Sequence, residues 1–262
     1  MSSFISSAQN PKIKRLLTLQ QKGSERRRSS LFVLEGKREI GRALSCGYVP
    51  ESFFLCPDIC PYPFEDFTLD EDKLFTVSPE LYAKIAYREG TEGLVAVLRS
   101  KEHRIEDLKL GSNPLIAVVE SVEKPGNLGA MMRTCDAAGA DALIVCDPLT
   151  DLYNPNLLRA SLGTAFSVQC AMCSSAEAIG YLKERNIRIL TAQLQDSSLY
   201  YDCPMTGPCA IVMGTESTGL SEAFREAADA HIRIPMLGLA YSLNVSVSAA
   251  ILLYEAVRQR NG

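Results

Sequence analysis

Glu216 is the one carboxylate in Met213-Gly-Thr-Glu-Ser-Thr-Gly-Leu-Ser221, with Gly214 and Gly219 to either side of it. Glycines so placed let the backbone come close to a ligand that Glu216 would orient. A second text, Ile234-Pro-Met-Leu-Gly-Leu-Ala-Tyr-Ser-Leu-Asn-Val-Ser-Val-Ser248, sets Ser242, Asn244 and Ser246 at the opening of a long apolar helix. Short polar side chains there either cap the helix or bind something. A third text, Glu120-Ser-Val-Glu-Lys-Pro-Gly-Asn-Leu-Gly-Ala-Met-Met-Arg133, offers Asn127 as a cap and Arg133 six residues on. Six helical residues turn by about 600°, which carries Arg133 away from Asn127 unless Asn127 sits in the preceding loop. Alone, this third text does not rise above a capped helix with a surface arginine. Its weight comes from company, because all three texts follow short apolar, strand-like runs.

The elements that must position these residues alternate regularly. Strands are expected at 115–120, 142–146, 166–172, 187–192, 209–213 and 231–234, and helices at 127–138, 154–162, 176–185, 222–228 and from about 242 onward. Near-continuous apolar strands between helices predict a parallel sheet covered on both faces, whose ligands collect at the carboxyl ends of its strands. All three texts stand at such ends. Before them, residues 100–113 are charged and run into Gly-Ser-Asn-Pro, a linker composition. Residues 1–99 predict a smaller mixed α/β domain. Asn10-Pro11 starts a helix there, residues 22–30 read as a polar loop, and strands are expected at 31–34, 53–55, 74–77 and 91–98. The division is therefore 1–99, a linker over 100–113, and 114–262.

Charge is unevenly spread over the 262 residues. The formal net charge is −4, yet residues 1–42 carry ten Lys or Arg against three Glu. Such a run is either a solvated face or a surface that contacts a phosphate backbone. The nine cysteines sit mostly in apolar runs, as expected of reduced thiols in a cytoplasmic protein. Cys170-Ala-Met-Cys173 matches C-x-x-C but has no second pair, and His103 and His231 lie far off in sequence, so no metal site is assigned. No run approaches membrane-spanning length and no signal-peptide core is expected at the N-terminus. No strand leads into G-x-G-x-x-G, and neither a Walker sequence nor H-E-x-x-H occurs.

Three ordered segments carry a resemblance. Asn127-Leu-Gly-Ala-Met-Met-Arg133, Met213 to Ser221, and Ile234-Pro-Met236 with Ser242-Leu-Asn-Val-Ser-Val247 resemble the three motifs of the SpoU/TrmH family of RNA ribose 2′-O-methyltransferases. Asn154-Pro-Asn-Leu-Leu-Arg-Ala-Ser-Leu-Gly163 is similar to a further segment of that family. Asn10-Pro-Lys and Phe32-Val-Leu-Glu-Gly36 resemble the substrate-binding domain that many members carry. The resemblance implies a C-terminal α/β domain threaded into a deep trefoil knot, an exception to the rule against knots. It also implies a homodimer and S-adenosylmethionine as cofactor, its adenine held by backbone groups. By matching position, the cofactor site comprises Leu190, Thr191, Ala192, Met213, Gly214, Gly219, Ile234, Met236 and Leu243, and catalysis falls to Asn127, Arg133, Glu216, Ser242 and Asn244.

Transfer of an already activated methyl group to a ribose hydroxyl asks for in-line alignment and a route for one proton. An arginine stays protonated, so the cautious role for Arg133 is to grip the adjacent RNA phosphate and polarise the hydroxyl. Arg26, Arg27, Arg28 and Lys37 are the expected RNA contacts on the basic segment, while Phe4 and Phe32 are expected in the core. The target is a structured rRNA or tRNA. A non-catalytic RNA-binding module would keep the basic surface without the chemistry, and a nucleotide-dependent oxidoreductase would fit the α/β pattern alone.

Overall fold

A computed structural model describes residues 3–61, 71–87, 92–215 and 218–262, and the chain divides into two compact units. The first comprises residues 1–102 together with 153–158, and the second comprises 103–152 with 159–262.

In the first unit, β1 (Ser3–Ile5) leads to α1 (Pro11–Gln21), α2 (Gly23–Ser29), β2 (Leu31–Glu35), α3 (Lys37–Ser45), β3 (Pro50–Leu55), β4 (Leu74–Val77), α4 (Pro79–Ile85) and β5 (Leu94–Arg99). The strands form one mixed sheet in the order β1-β4-β3-β5-β2. Asn10 Oδ1 accepts from Lys12 N at 2.9 Å, so the Asn-Pro start of α1 is a side-chain cap followed by a pre-set φ. Residues 23–29, expected as loop, are helical. That segment holds no apolar residue, and it is tied down instead by Arg26, whose side chain reaches back to the end of α1. Ile13, Leu16, Leu19, Leu31, Phe54 and Ile85 build the core between helices and sheet.

The second unit contains β6 (Leu115–Glu120), α5 (Pro125–Ala138), β7 (Ala142–Cys146), α6 (Pro155–Ser161, its first four residues counted with the first unit), α7 (Thr164–Ser167), β8 (Cys170–Cys173), α8 (Ser175–Glu184), β9 (Arg188–Ala192), β10 (Ser198–Leu199), β11 (Cys209–Met213), α9 (Glu222–Ala227), β12 (Ala230–Arg233) and α10 (Val245–Asn261). Its seven strands are all parallel, in the order β10-β12-β9-β11-β6-β7-β8. The run expected as strand over 166–172 begins with the helical turn α7, and pairing starts only at Cys170. Residues 103–113 belong to this unit: Ile105 is buried in its core and Met172 N donates to His103 O at 2.7 Å.

Two aspartates pin the register. Asp141, ahead of β7, accepts from Leu115 N at 2.7 Å, and Asp229, ahead of β12, accepts from Ile189 N at 2.7 Å. Each carboxylate satisfies the first free N–H of the neighbouring strand. Helices α5 and α10 pack together on one face, and α8 and α9 pack together over a core of Ile116, Val118, Ile144, Ile189, Val212 and Phe224. The strand order turns back beside β6, where β11 and β9 lie on one side and β7 and β8 on the other. In open α/β sheets the ligand crevice lies at such a reversal.

Candidate active site

A cleft of about 340 Å³ opens at the carboxyl ends of β9, β11 and β12. Its floor is built by Ala192 and Met213, the last residues of β9 and β11, and by Ile232 next to the end of β12, and its rim by the two loops that leave β11 and β12. The β11 loop folds back on itself: Thr215 N donates to Gly219 O at 3.2 Å, and Gly219 N donates to Thr215 O at 3.1 Å. Gly219 has φ +70°, the left-handed region that favours glycine, and a Cβ placed on Gly214 would lie 2.2 Å from Gly219 O. The backbone thus occupies the space of a side chain. Leu220 closes the loop from inside, and Ser221 caps α9, its N–H donating to Glu120 Oε2 at 2.7 Å.

The rim from β12 runs through Ile234 and Met236 to Ser242 and Leu243, then enters α10. Asn244 is the N-cap of that helix. Its Oδ1 accepts from Ser246 N at 3.0 Å and from Ser246 Oγ at 2.6 Å, while its Nδ2 donates to Asn127 Oδ1 at 3.1 Å. Two asparagines 117 residues apart in sequence are thereby joined at the packed pair α5 and α10.

Of the residues expected at the cofactor, Ala192, Met213, Gly214, Gly219, Ile234, Met236 and Leu243 line the cleft, as does Ser242. Leu190 and Thr191 do not. Both are fully buried in β9, and the Thr191 hydroxyl is held 2.6 Å from His231 Nδ1, so they support the cleft from behind. Asn127 is the third residue of α5, inside the helix, and Arg133 therefore stands about 240° further round it. Arg133 is exposed and makes no ion pair among the described residues. Glu216 lies outside the described residues. The cleft also takes in Gln193, Arg225, Arg233 and Tyr241, which the reading of motifs passed over although each lies within a few residues of one.

The basic segment divides. Arg26 is 5% exposed and its Nη1 donates to Leu19 O at 2.6 Å and Gln20 O at 3.1 Å, so it closes the end of α1 and is not part of the exposed face. Arg27 is exposed. Arg28 is also exposed but pairs with both oxygens of Glu25 at 2.7 and 3.1 Å, a hydrogen-bonded partner that raises its pKa further. Lys37 is partly buried at the start of α3, its N–H donating to Glu92 Oε2 at 2.6 Å. Phe32 is buried as expected, whereas Phe4 is 66% exposed on the short edge strand β1.

The model of the SpoU rRNA Methylase family matches residues 114–254, and that of the MRM3-like substrate binding domain matches residues 10–96. The chain is 30% identical over 252 residues to the 23S rRNA (guanosine(2553)-2′-O)-methyltransferase RlmP of Bacillus subtilis, covering 96% of this chain and 98% of that protein. A crystal structure of an RNA 2′-O ribose methyltransferase superposes with a TM-score of 0.82 at 38% identity, covering 99% of this chain and 100% of the other. An AdoMet-bound rRNA methyltransferase from Sinorhizobium meliloti superposes with a TM-score of 0.89 at 26% identity, covering 98% of each chain.

Proposed function

The chain belongs to the SpoU rRNA methylase family, and from that premise we propose that it methylates a ribose 2′-hydroxyl of large-subunit ribosomal RNA with S-adenosylmethionine. The observation that carries this reading is the cleft at the ends of β9, β11 and β12, lined by seven of the nine residues expected to hold the cofactor. Its size is that of a small-molecule site, and its walls mix apolar side chains with the exposed backbone of two glycines. Ala192, Met213, Gly214, Gly219, Ile234, Met236 and Leu243 would hold the cofactor. When bound, it supplies a methyl group already activated on a sulfonium sulfur.

The protein's remaining work is to align one oxygen and to accommodate its proton. Asn244 and Asn127, held by their mutual hydrogen bond, are positioning groups beside the cleft, and Ser242 stands on its rim. Glu216 is assigned a role in fixing the substrate. Arg133 grips an RNA phosphate and polarises the hydroxyl. Its direction, about 240° round α5 from Asn127, supports a homodimer in which Arg133 completes the site of a second copy. Exposed apolar residues support the same assembly: Leu237 and Leu239 are each 97% exposed, and Val247 and Tyr254 are exposed on α10. The family resemblance supports threading of the segment before α10 as a trefoil knot.

Residues 1–99 serve as the RNA-binding domain through Arg27, Arg28 and Lys37, and residues 103–113, packed on the second unit, extend the catalytic domain over 114–262. A cytoplasmic location is in keeping with free thiols at every cysteine.

Transfer of labelled methyl from S-adenosylmethionine to unmodified ribosomal and transfer RNA, run in parallel, tests the reading. Alkali-resistant label on ribosomal RNA, lost in Arg133→Ala and Glu216→Ala, is the expected outcome. Label on transfer RNA alone would overturn the substrate, and failure to bind the cofactor would overturn the reaction.

A further inference from the structure

The C-x-x-C spacing of Cys170 and Cys173 suggests the wrong pair. Both lie in β8, three residues apart, so their side chains leave opposite faces of the sheet and cannot meet. Cys173 has a different neighbour. On the adjacent parallel strand β7, Cys146 is its direct register partner, and both residues end their strands with side chains on the same face. Neighbouring strands lie about 4.8 Å apart, inside the roughly 4.4–6.8 Å between Cα atoms that a disulfide spans.

Their environments differ in the way a reactive pair needs. Cys146 is fully buried and Cys173 is partly exposed. A hydrogen bond between the two thiols holds Cys173 below the usual thiol range and, together with burial, pushes Cys146 above it. By contrast, burial, with the nearby Asp136 charge adding to it, drives Cys135 up to about 12, and Cys170 is raised chiefly by burial. Cys173 is thus the one with access, and Cys146 is in place to resolve it.

The pair also stands next to a polar chain that reaches the end of the β11 loop. Asp147 N donates to Cys173 O at 2.9 Å, and Ser121 N donates to Cys146 O at 2.9 Å. Asp147 and Ser121 have φ of 46° and 53°, left-handed values for residues that carry a Cβ, so both strand ends are tightly constrained. The Ser175 hydroxyl lies 2.5 Å from Asp147 Oδ2 and 2.7 Å from Glu120 Oε1, one hydroxyl hydrogen between two carboxylates. The other Glu120 oxygen holds Ser221 N, where the β11 loop ends.

We propose that Cys146 and Cys173 are an oxidisable dithiol which a peroxide converts to a cross-strand disulfide, and that this bond weakens cofactor binding through the Asp147–Ser175–Glu120–Ser221 chain. The Cys173 thiolate attacks one peroxide oxygen, the O–O bond breaks, and water leaves with one proton. The sulfenic acid so formed is attacked by Cys146 sulfur, which loses its proton as a second water departs. Two thiols and one hydrogen peroxide give one disulfide and two waters, a two-electron oxidation. Closing the bond draws the two Cβ atoms toward about 3.8 Å, and Asp147 after β7 and Ser175 at the start of α8 must follow. The effect on the cleft rests on the function proposed above; the bond itself does not.

The test uses the full chain, reduced and then treated with hydrogen peroxide. Peptide mapping after alkylation should link Cys146 to Cys173, with a mass loss of about 2 Da that dithiothreitol reverses. Calorimetric affinity for S-adenosylmethionine should fall about tenfold on oxidation of the wild type and stay constant in peroxide-treated Cys173→Ala, while Cys170→Ala behaves as wild type. A Cys170–Cys173 link, or no link at all, overturns the site. A Cys146–Cys173 link without change in affinity overturns the switch. Absence of cofactor binding in the reduced wild type would instead count against the methyltransferase reading and leave the mapped bond standing.

Discussion

Arg26 and Arg27 sit side by side in the seven-residue helix α2, one turned inward to the carbonyls of Leu19 and Gln20, the other in solvent. A charged side chain buried against two carbonyls is held by hydrogen bonds worth about 1.5–3 kcal/mol each, whereas an exposed arginine contributes little to folding. Arg26→Met should therefore lower the stability of the N-terminal unit in urea by about 3 kcal/mol or more and leave the salt dependence of RNA binding unchanged. Arg27→Glu should do the reverse, with stability within about 0.5 kcal/mol of wild type and a flatter salt slope. Equal losses of stability in both would return Arg26 to the exposed face. Nothing in the run Glu25-Arg-Arg-Arg28 distinguishes the two. The choice is made by where a short helix points, and that is set by what it packs on. Thr191 teaches the same lesson, since its position beside the cleft is legible but its side chain is turned to His231.

At the scale of elements, the buried parallel strands are the best-read part of the fold. Leu115–Glu120, Ala142–Cys146 and Cys209–Met213 are found where their apolar runs predict them, because a strand covered on both faces must be apolar throughout. Elements without such a burden went unseen. Strands β1 and β10 have three and two residues and lie at sheet edges, and α2 has no apolar periodicity. Their existence depends on partners distant in sequence. The run 166–172 was ambiguous in another way: an apolar stretch fits a helical turn and a strand equally, and Gly163 with φ 88° starts the turn. The cleft loops were legible because their glycines announce them, and Gly214 gives a sharp test. A Cβ there meets backbone, not a movable side chain, so Gly214→Ala must displace the Thr215–Gly219 bridge. Affinity for S-adenosylmethionine should fall by about tenfold or more, about 1.4 kcal/mol, while the urea unfolding of the N-terminal unit stays as in wild type. Unaltered affinity by calorimetry would remove this loop from the cofactor site.

For the whole molecule, the decisive relation is that between Asn127 and Arg133. Asn127 is fixed toward α10 by its bond to Asn244, and six residues of regular helix then direct Arg133 to another surface of the same unit. A single copy that needed both groups at one hydroxyl would have to break α5, whose fourteen residues run unbroken from Pro125 to Ala138. In the proposed twofold dimer no such break is needed, because the two halves of each site would come from different copies. Complementation measures this directly. Take Arg133→Ala, which keeps both asparagines, and a double variant Asn127→Ala, Asn244→Ala, which keeps the arginine. Each alone should be inactive toward ribosomal RNA. Unfolded and refolded together in equal amounts, half of the dimers are mixed, and each mixed dimer holds one site with all three groups, so about a quarter of wild-type activity should return. If Arg133 served its own copy, every site in the mixture would lack one partner or the other. The activity would then stay at the level of the single variants, and the shared site would be excluded.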